Sequence, residues 1–373
     1  MMESRSPYLA QADFLPPLPK LPLLWERGAG GVRLPLLATI ITLLLAACGS
    51  PTAPAGTDAV RLTLAAYSTP AEAYGKIIPL FQADFKSKSG QDVTFATSFQ
   101  GSGAQSRAVI GGLEADVVAL SLGPDVDAIA KAKLITHDWT SAPHKGIVSN
   151  SVVAFAVRKG NPRHITDWAD LAQPGLNVLT PDAASSGGAR WNILGLYGAA
   201  LRGQVSGVAA NDQKGAQDFM TRVLKNVSVM DKDARTSLTT FEKGIGDVAI
   251  TYENEVLLGQ QRGQDYQLVI PHSTILIETP VAVVDGYADR HGTRAAAEAF
   301  VNFLFTPAAQ QVFAQYGFRP VDPGVAQKTV AEFPAVPDQF TVDQFGGWTK
   351  ANADIFTQDS GLYSMAIAAA QAK

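Results

Sequence analysis

The stretch S-S-G-G-A-R-W-N, Ser185–Asn192, lies between a strand-like run, Asn177–Thr180, and a long apolar segment that reads as a helix. Paired glycines let a backbone turn tightly, and the first N–H groups of a helix have no internal acceptor. Such N–H groups point outward together, with the helix dipole behind them. They can therefore hold a small anion without a cationic side chain. Taken alone, the stretch is equally an ordinary glycine-rich strand-to-helix turn, and the rest of the chain has to decide.

The same junction recurs to the N-terminal side. Val60–Ala66 alternates with period two and ends at Tyr67-Ser68-Thr69-Pro70, and a helical pattern follows from Ala71 to Lys88, with Gly90 as its stop. The strand Val93–Phe99 runs into Gln100-Gly101-Ser102-Gly103, which opens another helix. Ser102 there is placed either to cap the helix or to donate to a ligand. Ala115–Leu120 is a near-continuous apolar run of the kind covered on both faces of a parallel sheet. To the C-terminal side, Ala216–Leu224 reads as a helix and Val227–Met230 as a strand leading to D-K-D-A-R, Asp231–Arg235. A helix is expected over Ser237–Lys243, a strand over Asp247–Tyr252 and a helix from Glu253. Two longer strands, Val148–Arg158 and Ile275–Val284, separate three blocks of alternating strands and helices. The pattern predicts two α/β lobes joined by two crossing strands. Ligands in such sheets bind beyond the carboxyl ends of strands. The loops after Tyr67, Phe99, Thr180 and Met230 all lie there and can converge on one cleft.

With 373 residues, 46% of them hydrophobic and 17% charged, the chain can bury a core of that size, and its net charge of −4 gives no basic face for nucleic acid. The leader is distinctive. An apolar run of about 14 residues, Leu34–Ala47, follows Arg33 and is too short to span a bilayer comfortably. It ends in Leu45-Ala46-Ala47-Cys48, which resembles a bacterial lipobox. Residues 1–47 are expected to be a signal peptide, and residues 1–33 exceed what its basic end needs. Cys48 is the only cysteine and has no disulfide partner. It is expected to carry a lipid, with residues 48–58 as a flexible tether.

The runs G-S-G-A-Q (101–105), L-E-A-D-V-V-A-L (113–120), V-R-K-G-N-P (157–162), S-S-G-G-A-R-W-N (185–192), G-I-G-D-V-A-I-T-Y-E-N-E (244–255) and F-G-G-W-T-K (345–350) together resemble the sulfate-binding proteins of bacterial ABC importers. The resemblance implies a two-lobed periplasmic-binding-protein fold, each lobe a mainly parallel sheet flanked by helices, with the ligand cleft between lobes. It places the first part of lobe 1 at 59–151, lobe 2 at 152–283, and the completion of lobe 1 with a C-terminal tail at 284–373. It implies a sulfate dianion held by the backbone N–H of Ser68, the Ser102 hydroxyl, the backbone N–H groups of Ser186, Gly187, Gly188 and Ala234, and a side-chain donor at Tyr252. The family pattern has an indole N–H at that last position, and an aspartate where Ser68 stands. Arg190 and Arg235, just after donor loops, are expected to brace those loops without touching the anion. The implied partners are ABC permease subunits with a cytoplasmic ATPase, and the membrane through Cys48. An extracytoplasmic monomer, periplasmic or on the outer face of the cell membrane, without cofactor or bound metal, is expected.

The residues themselves agree with a site made only of donors. Sulfate carries no proton at neutral pH, whereas hydrogen phosphate would want an acceptor, and none of the seven positions is Asp or Glu. Thiosulfate, or a molybdate-type oxyanion, remains open as the ligand. A membrane-anchored hydrolase is disfavoured: His137, His144, His164, His272 and His291 fall in no metal-ligand spacing and read as surface residues, and neither G-x-S-x-G nor a phosphate-binding P-loop occurs.

Overall fold

The computed structural model describes residues 59–372, and the leader, Cys48 and the tether lie outside them. β1 (Val60–Tyr67), β2 (Val93–Gln100) and β3 (Val117–Ala119) pair in parallel, with α1 (Ala71–Ser89), α2 (Ser102–Ile110) and α3 (Gly123–Lys131) following them in turn. Their aromatic side chains explain the packing of this first lobe. Phe81 of α1 and Phe95 of β2 meet Phe300 edge-on, and Tyr74 meets Phe313. Those partners lie on α9 (Arg294–Leu304) and α10 (Pro307–Gln315), which come after the other lobe in sequence. They are preceded by the short α8 (Asp285–His291).

The second lobe contains β5 (Val178–Pro181), α4 (Gly187–Leu201), α5 (Gln213–Lys225), β6 (Val227–Asp231), α6 (Ala234–Glu242), β7 (Val248–Tyr252), α7 (Glu253–Gln261) and β8 (Gln267–Val269). β5 pairs in parallel with β6 and β7. α5 shows why periodicity finds helices: Ala216, Phe219, Met220, Val223 and Leu224 form its buried stripe, and Asp212 caps its start. α4 is apolar around its whole circumference, and 13 of its 15 residues are buried, which makes it the interior helix of this lobe.

β4 (Ile147–Val157) and β9 (Ser273–Val283) cross between the lobes as an antiparallel pair. Val153–Val157 of β4 pair with β7, while Val281–Val283 of β9 pair with β3. By strand pairing the chain meets the first lobe again from Val281 onward. The sheet order is β2-β1-β3-β9-β4-β7-β5-β6. Two differences from the sequence reading have plain causes. α3 has only three buried residues, Gly123, Val126 and Ile129, too short a stripe to stand out. α6 starts three residues earlier than expected because Asp233, not a residue nearer Ser237, accepts from Thr236 N (2.9 Å) and caps it. After α11 (Pro323–Thr329), in the C-terminal tail, β10 (Asp338–Phe340) adds to β9, α12 (Gly347–Ile355) follows, and α13 (Leu362–Gln371) packs on α5.

Two histidines read as surface residues do more than expected. His291 bridges Asp116 (2.8 Å) and Glu114 (3.1 Å), and these partners raise its pKa. His137 bonds Asp285 (2.8 Å).

Candidate functional site

Ser68, Ser102, Ser186, Gly187, Gly188, Ala234 and Tyr252 all line one cavity between the lobes, together with Tyr67, Thr69, Gly101, Ser121 and Asp233. Among the described residues, no Lys or Arg lines it. It holds about 160 Å³ of free space, and every residue that lines it except Ser68 is buried. Three helices begin on its wall: α2 at Ser102, α4 at Gly187 and α6 at Ala234. The N–H groups of Ser102, Gly187, Gly188 and Ala234 fall in those first turns, where no intrahelical acceptor exists. The three dipoles converge their positive ends on one point and give the cavity the potential an anion needs.

Serine roles differ from the sequence expectation. The Ser102 hydroxyl donates to Asp125 Oδ2 (2.5 Å) and accepts from Ser121 N (2.9 Å), so the proton expected to face the ligand is already spent. Ser102 is left with its backbone N–H as the available donor. The Ser186 N–H instead donates to Asp182 O (2.8 Å), while its hydroxyl caps α4 by accepting from Ala189 N (3.3 Å) and keeps its own proton free. Backbone and hydroxyl thus exchange roles between the two serines. Ser186→Ala is accordingly expected to weaken anion binding about 10- to 100-fold, the worth of one hydrogen bond to a charged partner. Titration calorimetry on the variant measures this, and an unchanged affinity would place the donor elsewhere.

The paired glycines also serve differently. Neither Gly187 nor Gly188 is among the glycines with positive φ. They are needed for close approach: a Cβ on Gly187 would lie 2.7 Å from Ser121 Oγ, and one on Gly188 would lie 2.7 Å from Tyr252 Cε2. Gly101, which precedes α2, is under the same constraint, because its Cβ would stand 2.5 Å from Ser185 O.

The cavity wall is not free of carboxylates. Asp233 faces it, but its Oδ1 accepts from Ser68 Oγ (3.1 Å), Thr236 N (2.9 Å) and Thr236 Oγ1 (3.1 Å) and is turned toward the helix start. Asp125 stands one hydrogen bond behind Ser102, and burial pushes its carboxyl above the ordinary carboxylate range. Tyr252 is 1% exposed, and burial lifts its phenol well above the usual value, which keeps it a neutral donor. Its Oη lies 2.7 Å from Ser121 Oγ.

Neither arginine lines the cavity. Arg190 donates to Ala183 O (3.2 Å) and Asn352 Oδ1 (3.2 Å), holding the loop before α4. Arg235 holds Glu255 with two bonds of 2.6 Å and reaches into the other lobe to Glu72 (2.6 Å) and Thr69 O (3.1 Å). Burial alone would lower its pKa, but the two carboxylates hold it above the ordinary value. Arg107 Nη1 to Ala184 O (3.1 Å) and Ala104 N to Ser185 O (3.2 Å) are further ties between the lobes.

Sequence reasoning missed Ser121, Gly101, Asp233, Tyr67 and Thr69. The first was within reach, because it follows the apolar run Ala115–Leu120 and so sits at a strand's carboxyl end like the four loops that were counted. Gly101 and Asp233 are the cap residues one step before counted donors. Tyr67 and Thr69 flank Ser68 and carry no separate signal, yet their buried hydroxyl oxygens have no hydrogen-bond partner among the described residues.

Residues 62–319 match the family model described as bacterial extracellular solute-binding protein. The sulfate-binding protein of Synechococcus elongatus is 47% identical over 326 residues, 86% of this chain and 91% of that protein. The thiosulfate-binding protein of Escherichia coli is 36% identical over 332 residues, 87% of this chain and 94% of that one. Among solved structures, the sulfate-binding protein SubI from Mycobacterium tuberculosis matches with a TM-score of 0.73 and 38% identity, covering 79% of this chain and 98% of that one.

Proposed function

The chain belongs to the bacterial extracellular solute-binding protein family, and on that premise we propose that it captures sulfate in the interlobe cavity and delivers it to an ABC-type permease. One observation carries the reading: three helix starts place backbone donors around a cavity lined by neutral hydroxyls and no cationic side chain. Relatives named for sulfate are more similar to this chain than those named for thiosulfate. The chain is a binding protein, not an enzyme.

The donor set is the N–H groups of Ser68, Ser102, Gly187, Gly188 and Ala234, the Ser186 hydroxyl and the Tyr252 phenol. A hydrogen bond to a charged group contributes about 1.5–3 kcal/mol, and a micromolar complex needs only about −8 kcal/mol. Seven donors leave a wide margin for dehydrating the ion and ordering the cleft. The anion touches both lobes, so it stabilises the closed form by its differential affinity for that form. That form docks on the permease, with ATP hydrolysis on a separate cytoplasmic subunit. A lipid on Cys48 keeps the protein, a monomer, at the outer face of the cell membrane. The lobes divide near 151 and 283, where β4 and β9 cross.

Calorimetric titration of residues 49–373 with sulfate, thiosulfate, molybdate and phosphate at neutral pH tests this. Tight sulfate binding with phosphate silent is expected. A preference for thiosulfate or molybdate would replace the ligand assignment, and silence for all four would overturn the site.

A further inference from the structure

One wall residue uses every polar group it has. Ser121, in the loop between β3 and α3, donates its N–H to Ser102 Oγ (2.9 Å), accepts from Trp191 Nε1 at its carbonyl (2.9 Å), and places its Oγ 2.7 Å from Tyr252 Oη. Ser121 and Tyr252 are each 1% exposed, and both line the cavity. Ser121 comes from the first lobe, Tyr252 and Trp191 from the second, so its contacts with those two exist only when the cleft is closed.

A phenol has one proton and two lone pairs. To donate to an anion, Tyr252 must direct that single proton into the cavity, and its bond with Ser121 must then run from serine to phenol. The reverse direction turns a phenol lone pair toward the ligand. That arrangement suits an oxyanion that carries a proton of its own. Gly187 is the neighbour that lets Ser121 Oγ come this close to the α4 start, since a Cβ there would overlap it. We propose that Ser121 is a positioning residue that fixes the direction of the Tyr252 hydroxyl on closure and so favours fully deprotonated tetrahedral oxyanions over singly protonated ones. The proposal rests on the sulfate reading of the cavity.

The test is a double-mutant cycle by titration calorimetry at pH 8 on the mature chain, with sulfate as titrant and hydrogen phosphate as competitor. Ser121→Ala is expected to weaken sulfate about tenfold and to lower the sulfate-to-phosphate affinity ratio. In a Tyr252→Phe background the same change is expected to have no further effect, because no phenol proton remains to be directed. Equal losses in both backgrounds, with the ratio unchanged, would reduce Ser121 to a packing residue and overturn the proposal. Should Ser121→Ala fail to fold, Ser121→Cys keeps the shape with a weaker donor, and the same two outcomes decide. A wild-type protein that ignores sulfate would overturn the sulfate reading itself, and this proposal with it; an additive cycle on a wild type that binds sulfate overturns this proposal alone.

Discussion

Gly101→Ser is expected to weaken sulfate binding roughly 150-fold while leaving the unliganded protein as heat-stable as the wild type. Gly101 has φ −60° and ψ 141°, an extended conformation open to any residue, and serine is a better helix cap than glycine. Within its own lobe the substitution therefore costs nothing. The cost arises across the cleft, where the new Cβ would lie 2.5 Å from Ser185 O and 3.0 Å from Lys232 O. Both obstacles are backbone atoms on loops that carry donors, so neither can step aside without moving the site. Overpacking costs about 1–3 kcal/mol, and rigid backbone on the far side puts this case at the upper end, roughly 150-fold in the population of the closed form and hence in apparent affinity. Calorimetric titration together with a melting curve separates the effects. An unchanged affinity would mean that the lobes need not come this close to hold the ion.

Arg235→Met is expected to lower the melting temperature by roughly 10 °C and to weaken binding as well. Glu255 is fully buried, and burial pushes its carboxyl above the ordinary range against the pull of Arg235, its bidentate partner. Removing one member of a buried pair typically costs about 3–5 kcal/mol, because the other charge is left without compensation, and a chain of this size loses about 2–4 °C per kcal/mol. The sign of the pH dependence follows from the same geometry. Without Arg235 the Glu255 carboxyl is raised further, so holding it ionised in the folded protein is costly at pH 8 and the cost fades as the pH falls toward the unfolded carboxylate value. The deficit in melting temperature is thus expected to shrink between pH 8 and pH 5. Adding Glu255→Gln to the variant should recover part of the loss at pH 8. A deficit that is flat with pH would show that the stability came from packing and not from the charge pair. The loss of affinity has a separate origin, the missing bonds from Arg235 to Glu72 and Thr69 in the other lobe.

Both losses of affinity come from contacts between lobes, which no local pattern in the chain announces. The alternation of strands and helices, the lengths of β4 and β9, and the convergence of loops after Tyr67, Phe99, Thr180 and Met230 were legible in the sequence, because periodicity and turn chemistry are local properties. So was the anion-seeking character of the site: a glycine or serine at a helix start exposes the same N–H groups wherever the helix is placed. All seven expected positions line the cavity; turn chemistry pointed to Ser102 and the Ser185–Gly188 stretch, and the family resemblance supplied the individual roles of the rest. What each atom does there was decided elsewhere. The Ser102 hydroxyl is taken by Asp125, 23 residues away, and Tyr252 meets Ser121 across 131 residues. Gly187 and Gly188 looked like turn formers but are helical, and are small because another segment presses on them. Strand ends and helix starts announce themselves within a few residues, so the chain alone marks the loops that surround the cavity, though not every residue on its wall. Only the tertiary structure decided which of their protons remain free, because a hydroxyl's partner is fixed by whatever side chain the fold brings within 3 Å.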